Sequence, residues 1–199
     1  MARIVLLDNH DSFVYNLADA LATTEHELIV YRNTVPVQTV LDAQPDLIVL
    51  SPGPSHPSQA GCMMELIDAA FGTIPMLGIC LGFQALLEHL GGHVEPCGPV
   101  HGFSSPLELT AAGESHALFT GLPTEGDPAV ARYHSLGCLD APAGMTVLAT
   151  APTALGHVVM AGEAVDQKAI GLQFHPESIL TPDGPIMLER ATSLLLDNK

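Results

Sequence analysis

The stretch GICLGFQ at residues 78–84 places a cysteine between two glycines, each two residues away. A free cysteine is usually a small buried apolar side chain and chemically inert. Cys80, however, follows the apolar run IPMLGI (74–79) and precedes the helical pattern FQALLEHL (83–90), so it falls where a strand turns into a helix. Gly78 and Gly82 let the backbone turn sharply there and present the cysteine side chain above the sheet, the arrangement of a nucleophile elbow. The helix start supplies unpaired N–H groups and the positive end of the helix dipole, which favour a thiolate, and the N–H of Leu81 can point at a developing oxyanion. The expected chemistry is attack by sulfur on a carbonyl carbon.

Such a nucleophile works with a base. The segment GLQFHPES (171–178) places His175 at the end of an apolar strand, with Glu177 two residues on. Residues two apart on an extended chain point the same way and Pro176 stiffens the link, so Glu177 can reach the side of His175. A carboxylate on one ring nitrogen fixes the tautomer and leaves the other nitrogen to face Cys80. Cys80, His175 and Glu177 form the expected triad. A third stretch, SPGPSHPSQAG (51–61), follows the run DLIVL and so emerges at the same carboxyl edge, where open α/β sheets bind ligands. Within it, Gly53 lets the main chain approach a substrate and offer a second oxyanion donor.

These residues need a scaffold that brings strand ends together. In the first half, RIVLLD (3–8), ELIVY (27–31), DLIVL (46–50) and IPMLGI (74–79) alternate with the helical patterns SFVYNLADALA (12–22), CMMELIDAAF (62–71) and FQALLEHL. That alternation predicts an α/β fold, a mostly parallel open sheet flanked by helices. Phe13, Leu17, Ala20 and Leu21 share the inner face of the first helix, Asp11 or Ser12 caps it, and Gly91 and Gly92 stop the helix after Cys80. In the second half PLELT, AVARYH, MTVLATA, LGHVVMA and AIGLQF read as strands that extend the sheet and add an antiparallel portion. A last helix over PIMLERATSLLLDN (185–198) packs Ile186, Met187 or Leu188, Ala191, Leu194 and Leu195 inward. Residues 1–199 read as one domain, without repeat or linker.

Composition narrows the partners. Six Lys plus Arg against 22 Asp plus Glu give a formal charge of −16, which repels nucleic acid and anionic membranes at long range. No apolar run is long enough for a membrane span, and Asp8 and Asp11 interrupt any signal peptide, so a soluble, cytoplasmic protein is expected. Cys62, Cys80, Cys97 and Cys138 form no C-x-x-C pair, and His10, His26, His56, His89, His93, His101, His116 and His157 show no metal-ligand spacing. Most of these histidines read as surface or loop residues, and no metal is expected.

GICLGFQ, SPGPSHPSQAG, ARYHSL and QFHPES, in this order and at these separations, resemble the class I glutamine amidotransferases across nearly the whole chain. LLDNHDSF and HPESILT are similar to the glutaminase subunits of anthranilate synthase (component II) and of aminodeoxychorismate synthase. The resemblance implies a flavodoxin-like fold and a cysteine, Cys80, that attacks the carboxamide of L-glutamine, with His175 protonating the departing ammonia and then activating water against the thioester. Glu177 would orient His175. Gly53, Pro54, Ser55 and Gln84 would contact glutamine, and Ser135 and Leu136 would hold its amino-acid end. The resemblance further implies no cofactor and, as partner, a chorismate-using synthase subunit (anthranilate synthase component I) that receives the ammonia, in the tryptophan or the folate route. Relatives commonly carry Gly, His and Lys where this chain has Ser55, Phe83 and Phe103, changes that bear on the glutamine contacts and the partner surface. Ser55 and Phe103 also motivate a rival reading as a non-catalytic binding subunit; a thiol peptidase on a similar sheet fits the YHSL stretch less well.

Overall fold

Apolar runs of the first half become adjacent parallel strands in the computed structural model, which describes residues 1–98, 102–124, 126–164, 166 and 168–197. The strands are β1 (Arg3–Asp8), β2 (Glu27–Arg32), β3 (Leu47–Leu50) and β4 (Met76–Ile79), joined by α1 (Val14–Ala22), α2 (Val37–Asp42) and α3 (Met63–Ala70). After β4 come α4 (Leu81–His89), β5 (Glu95–Pro96), β6 (Phe103–Pro106), β7 (Glu108–Leu109), α5 (Ala111–Ser115), β8 (Ala129–Arg132) and β9 (Leu136–Gly137). The hairpin β10 (Thr146–Thr153) and β11 (Gly156–Ala164), then β12 (Ala169–Leu172) and α6 (Gly184–Asp197), complete the order.

The main sheet runs β2-β1-β3-β4-β12-β11-β10-β7. Its first five strands are parallel, whereas β11, β10 and β7 add antiparallel pairs. β3 and β4 are buried along their whole length because helices cover both faces, which is why they read as unbroken apolar runs. Alternate residues divide between two cores: Ile4 and Leu6 pack with α1 and α6, while Val5 and Leu7 pack with α2, α3 and α4.

Several elements depart from expectation. α1 starts one residue after Phe13, and its buried positions are Val14, Leu17 and Leu21; Phe13 instead sits at the helix entry, where its N–H donates to Asp11 Oδ1 at 2.7 Å. In α6 the buried apolar residues are Met187, Leu188, Ala191 and Leu195, with Ile186 and Leu194 only half-buried. The helices α2 and α5 and the strands β5, β6 and β9 had no clear sequence signal, being two to six residues long and stabilised by tertiary contacts. The run AVARYH does form a strand, β8, but it pairs with β6 outside the main sheet instead of extending it. Of the histidines read as surface or loop residues, His101 lies outside the described residues. The other seven are half-buried or exposed, and among the described residues no group of three or more His, Cys, Asp or Glu is arranged to hold a metal ion. Among the described residues no helix is long and apolar enough to cross a membrane.

Candidate active site

Cys80 stands between β4 and α4 with φ 50° and ψ −102°, a left-handed backbone conformation that a side chain adopts only when the surroundings impose it. The glycines around it show how. A Cβ on Gly78 would come within 2.7 Å of the Gly82 backbone, and one on Gly82 would run into the Leu50 carbonyl. Both positions must therefore lack a side chain for α4 to press down onto β3 and β4. The Cys80 N–H donates to Leu172 O at 2.7 Å, which locks the elbow onto β12. Leu81 is the first residue of α4, so its N–H has no intrahelical acceptor.

β12 runs beside β4 and delivers the next components. Its register pairs Leu172 with Ile79, so the residues that follow the two strands meet at the same edge. His175 and Glu177 both lie there, with His175 Nδ1 and Glu177 Oε1 2.7 Å apart, and the Cys80 sulfur is near enough to interact with the imidazole as well. Burial alone would push the imidazole down, but its hydrogen bonds and the opposite charges of Cys80 and Glu177 outweigh burial and raise it from 6.5 to about 10. The favoured state is an imidazolium set between a sulfur and a carboxylate.

Phe13 and Tyr133 wall this imidazole. Their ring centroids lie 5.0 and 5.3 Å from that of His175, and 4.9 Å from one another. Neither residue had been assigned to the site, because helix periodicity placed Phe13 in the core and Tyr133 stood only as part of YHSL.

The loop after β3 is held by polar side chains at the ends of β1 and β2. The Asn9 N–H donates to Ser51 Oγ at 2.8 Å, Asn9 Nδ2 donates to Ser51 O at 3.0 Å, and Asn33 Nδ2 donates to Asn9 Oδ1 at 3.1 Å. These contacts bring Gly53 so close to Asn9 and Leu81 that a Cβ would lie 2.7 Å from Asn9 Cβ and 2.6 Å from Leu81 Cδ2. Pro54 and Ser55 are exposed beyond it, and Ser55 has φ 68°, the region where glycine fits without strain. Asn9 and Ser51 were also missed as site residues, although both sit inside stretches that carried the resemblance.

Gln84 and Leu136 meet beneath the site, with Gln84 Nε2 donating to Leu136 O at 2.9 Å. Ser135 is exposed at the same edge and accepts the Cys97 N–H through its carbonyl at 2.9 Å. Phe83 is different: it is fully buried over Gly171 and Gly162, so it is core packing and not part of the polar edge. Phe103 is 63% exposed and rims a cavity of about 430 Å³ that is also lined by Arg132, Ser105, Glu108 and Asp127.

Residues 5–193 match the sequence profile of the family described as glutamine amidotransferase class-I. The chain belongs to the class I glutamine amidotransferases. Among its relatives in this family, an anthranilate synthase component 2 from Corynebacterium glutamicum is 54% identical, with all of both chains covered. A pyocyanine-specific anthranilate synthase component 2 from Pseudomonas aeruginosa is 45% identical over 95% of this chain and 92% of its own. A solved glutamine amidotransferase from Thermotoga maritima shares the fold with a TM-score of 0.71 at 17% identity, covering 98% of each chain. The open sheet with β4 and β12 at its centre is thus the amidotransferase scaffold.

Proposed function

We propose that this amidotransferase is the glutamine-hydrolysing subunit of an anthranilate synthase, and that it passes ammonia to a chorismate-using partner subunit. The observation that carries the reading is the single polar edge that joins Cys80, at the start of α4, to the His175–Glu177 pair. Full-length similarity to proteins named anthranilate synthase component 2 supports the choice of pathway.

The chemistry follows from the placement. The Cys80 thiolate attacks the side-chain carboxamide carbon of glutamine, and negative charge collects on the former carbonyl oxygen. Donors for that oxygen are the N–H of Leu81 and the N–H of Gly53. His175, held as imidazolium, gives its proton to the departing nitrogen as the C–N bond breaks, leaving a thioester and ammonia. The neutral imidazole then takes a proton from water as the water oxygen attacks the thioester. Collapse of that second tetrahedral species breaks the C–S bond and releases glutamate, restoring the thiolate and imidazolium. Glu177 keeps the ring oriented throughout and balances its charge. Gln84, Pro54, Ser55, Ser135 and Leu136 would be the residues that contact glutamine, as the resemblance implies.

Phe103 and Ile179, 63% and 95% exposed, favour a docked partner. Ser104 Oγ donates to Leu180 O at 3.1 Å, so the segments bearing these two apolar side chains are joined at one rim. The deciding experiment is ammonia release from glutamine by the native chain and by Cys80→Ala, each alone and with an anthranilate synthase component I plus chorismate. Release that needs Cys80 and rises with the synthase, together with anthranilate formation, is expected. Ammonia release unaffected by Cys80→Ala, or none with the synthase bound, would overturn the proposal.

A further inference from the structure

We infer that Gln173 is a further catalytic residue of this site, the donor that holds the Cys80 sulfur as a thiolate, and that Gln84 sets its orientation. This deepens the reading above and rests on Cys80 being the nucleophile. Gln173 follows β12 directly, is fully buried, and its Nε2 lies 3.6 Å from Cys80 Sγ.

The nitrogen and oxygen of a carboxamide are distinguished by their partners, and here the partners allow one solution. Arg132 can only donate. The ring nitrogen 3.4 Å from its Nε, His134 Nε2, must therefore accept, which leaves the proton on His134 Nδ1. That proton goes to Leu136 O at 3.0 Å. The same carbonyl can only accept, so the Gln84 atom 2.9 Å from it is the amide nitrogen. The second hydrogen of that nitrogen points to Gln173 at 3.2 Å, whose near atom is then the oxygen. The NH2 group of Gln173 is left facing sulfur. His134 is suited to this fixed role: burial and the adjacent Arg132 charge push it down to about 4, so it stays neutral and keeps one tautomer.

Two of the other cysteines show the contrast. Cys97 Sγ, although 3.7 Å from His134 Nδ1, donates to Ser135 O at 3.6 Å, and Cys138 Sγ donates to Asp140 O at 3.1 Å, so both use their hydrogen as thiols. Cys80 receives the Gln173 N–H, and a hydrogen bond received by the charged form favours that form.

The test compares iodoacetamide alkylation of Cys80 across pH in the native chain, Gln173→Met and Gln84→Met, read at the Cys80 peptide by mass spectrometry. Methionine keeps much of the volume without a donor. Gln173→Met is expected to move the alkylation profile up by about one pH unit, the usual worth of a hydrogen bond to a charged group. Gln84→Met, which frees Gln173 to turn, should move it in the same direction by less. In glutamine hydrolysis, kcat should fall about tenfold or more with KM little changed in Gln173→Met. A folded Gln173→Met with an unmoved alkylation profile would overturn the inference, because a merely structural glutamine alters yield and melting but not the profile. If Gln173→Met does not fold, an unmoved profile in Gln84→Met has the same force. Alkylation needs no glutamine, so a native chain inactive as a glutaminase would sink the functional reading while leaving this test intact.

Discussion

Glu177 Oε1 lies 2.7 Å from His175 Nδ1, and the two side chains are 0% and 3% exposed. The other carboxylate oxygen, Oε2, is buried with no hydrogen-bond partner among the described residues. The imidazolium is thus the group that answers this buried charge, and each partner would be costly to lose alone. Glu177→Gln should bring the His175 titration, followed by imidazole NMR, down from about 10, and reduce kcat for ammonia release about 10³- to 10⁴-fold. A variant with native kcat would remove Glu177 from the machinery.

The same pair makes stability depend on pH. The imidazole is raised in the fold above its ordinary 6.5, so folding favours the protonated ring. This contribution is complete below about 6.5 and is lost as pH rises through about 10. Urea midpoints should therefore decline from neutral toward pH 10. Cys80→Ala, which removes the first of the two raising hydrogen bonds, should flatten that decline; an identical slope in the variant would count against the coupling.

Two backbone positions in the loop after β3 should respond in opposite directions. Ser55→Gly relieves a side chain at φ 68° and should raise the melting temperature by about 1–3 °C, the strain relief being partly offset by greater freedom in the unfolded chain. Gly53→Ala forces a methyl against Asn9 and Leu81, so the loop must shift. Its ammonia release should fall about 10²-fold, as for loss of one oxyanion donor, while circular dichroism remains native.

The four thiols should separate by reactivity. Burial pushes the Cys62, Cys97 and Cys138 thiols up, which keeps them protonated at neutral pH. One equivalent of iodoacetamide should therefore label Cys80 first. Preferential labelling of half-buried Cys62 would show that access, and not thiolate character, decides.

What was legible from residue order was whatever local chemistry dictates. β1, β3 and β4 announce themselves because strands covered on both faces must be apolar throughout, and the two glycines beside Cys80 are demanded by backbone contacts within one turn of the elbow and with Leu50. His175 and Glu177 do meet, but across a turn closed by the Ser178 N–H on His175 O at 3.2 Å and not on the extended segment expected from the sequence. Gln173 lies only two residues before His175, in the bend that follows β12, but nothing local says that a glutamine faces a sulfur 93 positions earlier.

Tertiary structure decided the remainder. The Arg132–His134–Leu136–Gln84–Gln173 series, the Asn9–Ser51–Asn33 clamp and the Phe13–Tyr133 wall join residues from separate elements, and each depends on how strands are ordered and registered across the sheet. The pairing of β5 with β9, and of β8 with β6, was equally hidden, since two to four residues gain too little from their own propensity and pair only when the rest of the fold holds them together. The sequence by itself determined the elbow around Cys80, the neighbouring His175 and Glu177, and the parallel scaffold, because local sterics and continuous burial fix them. Only the folded chain decided which buried donors and acceptors face one another, because hydrogen-bond direction is set by partners distant along the chain.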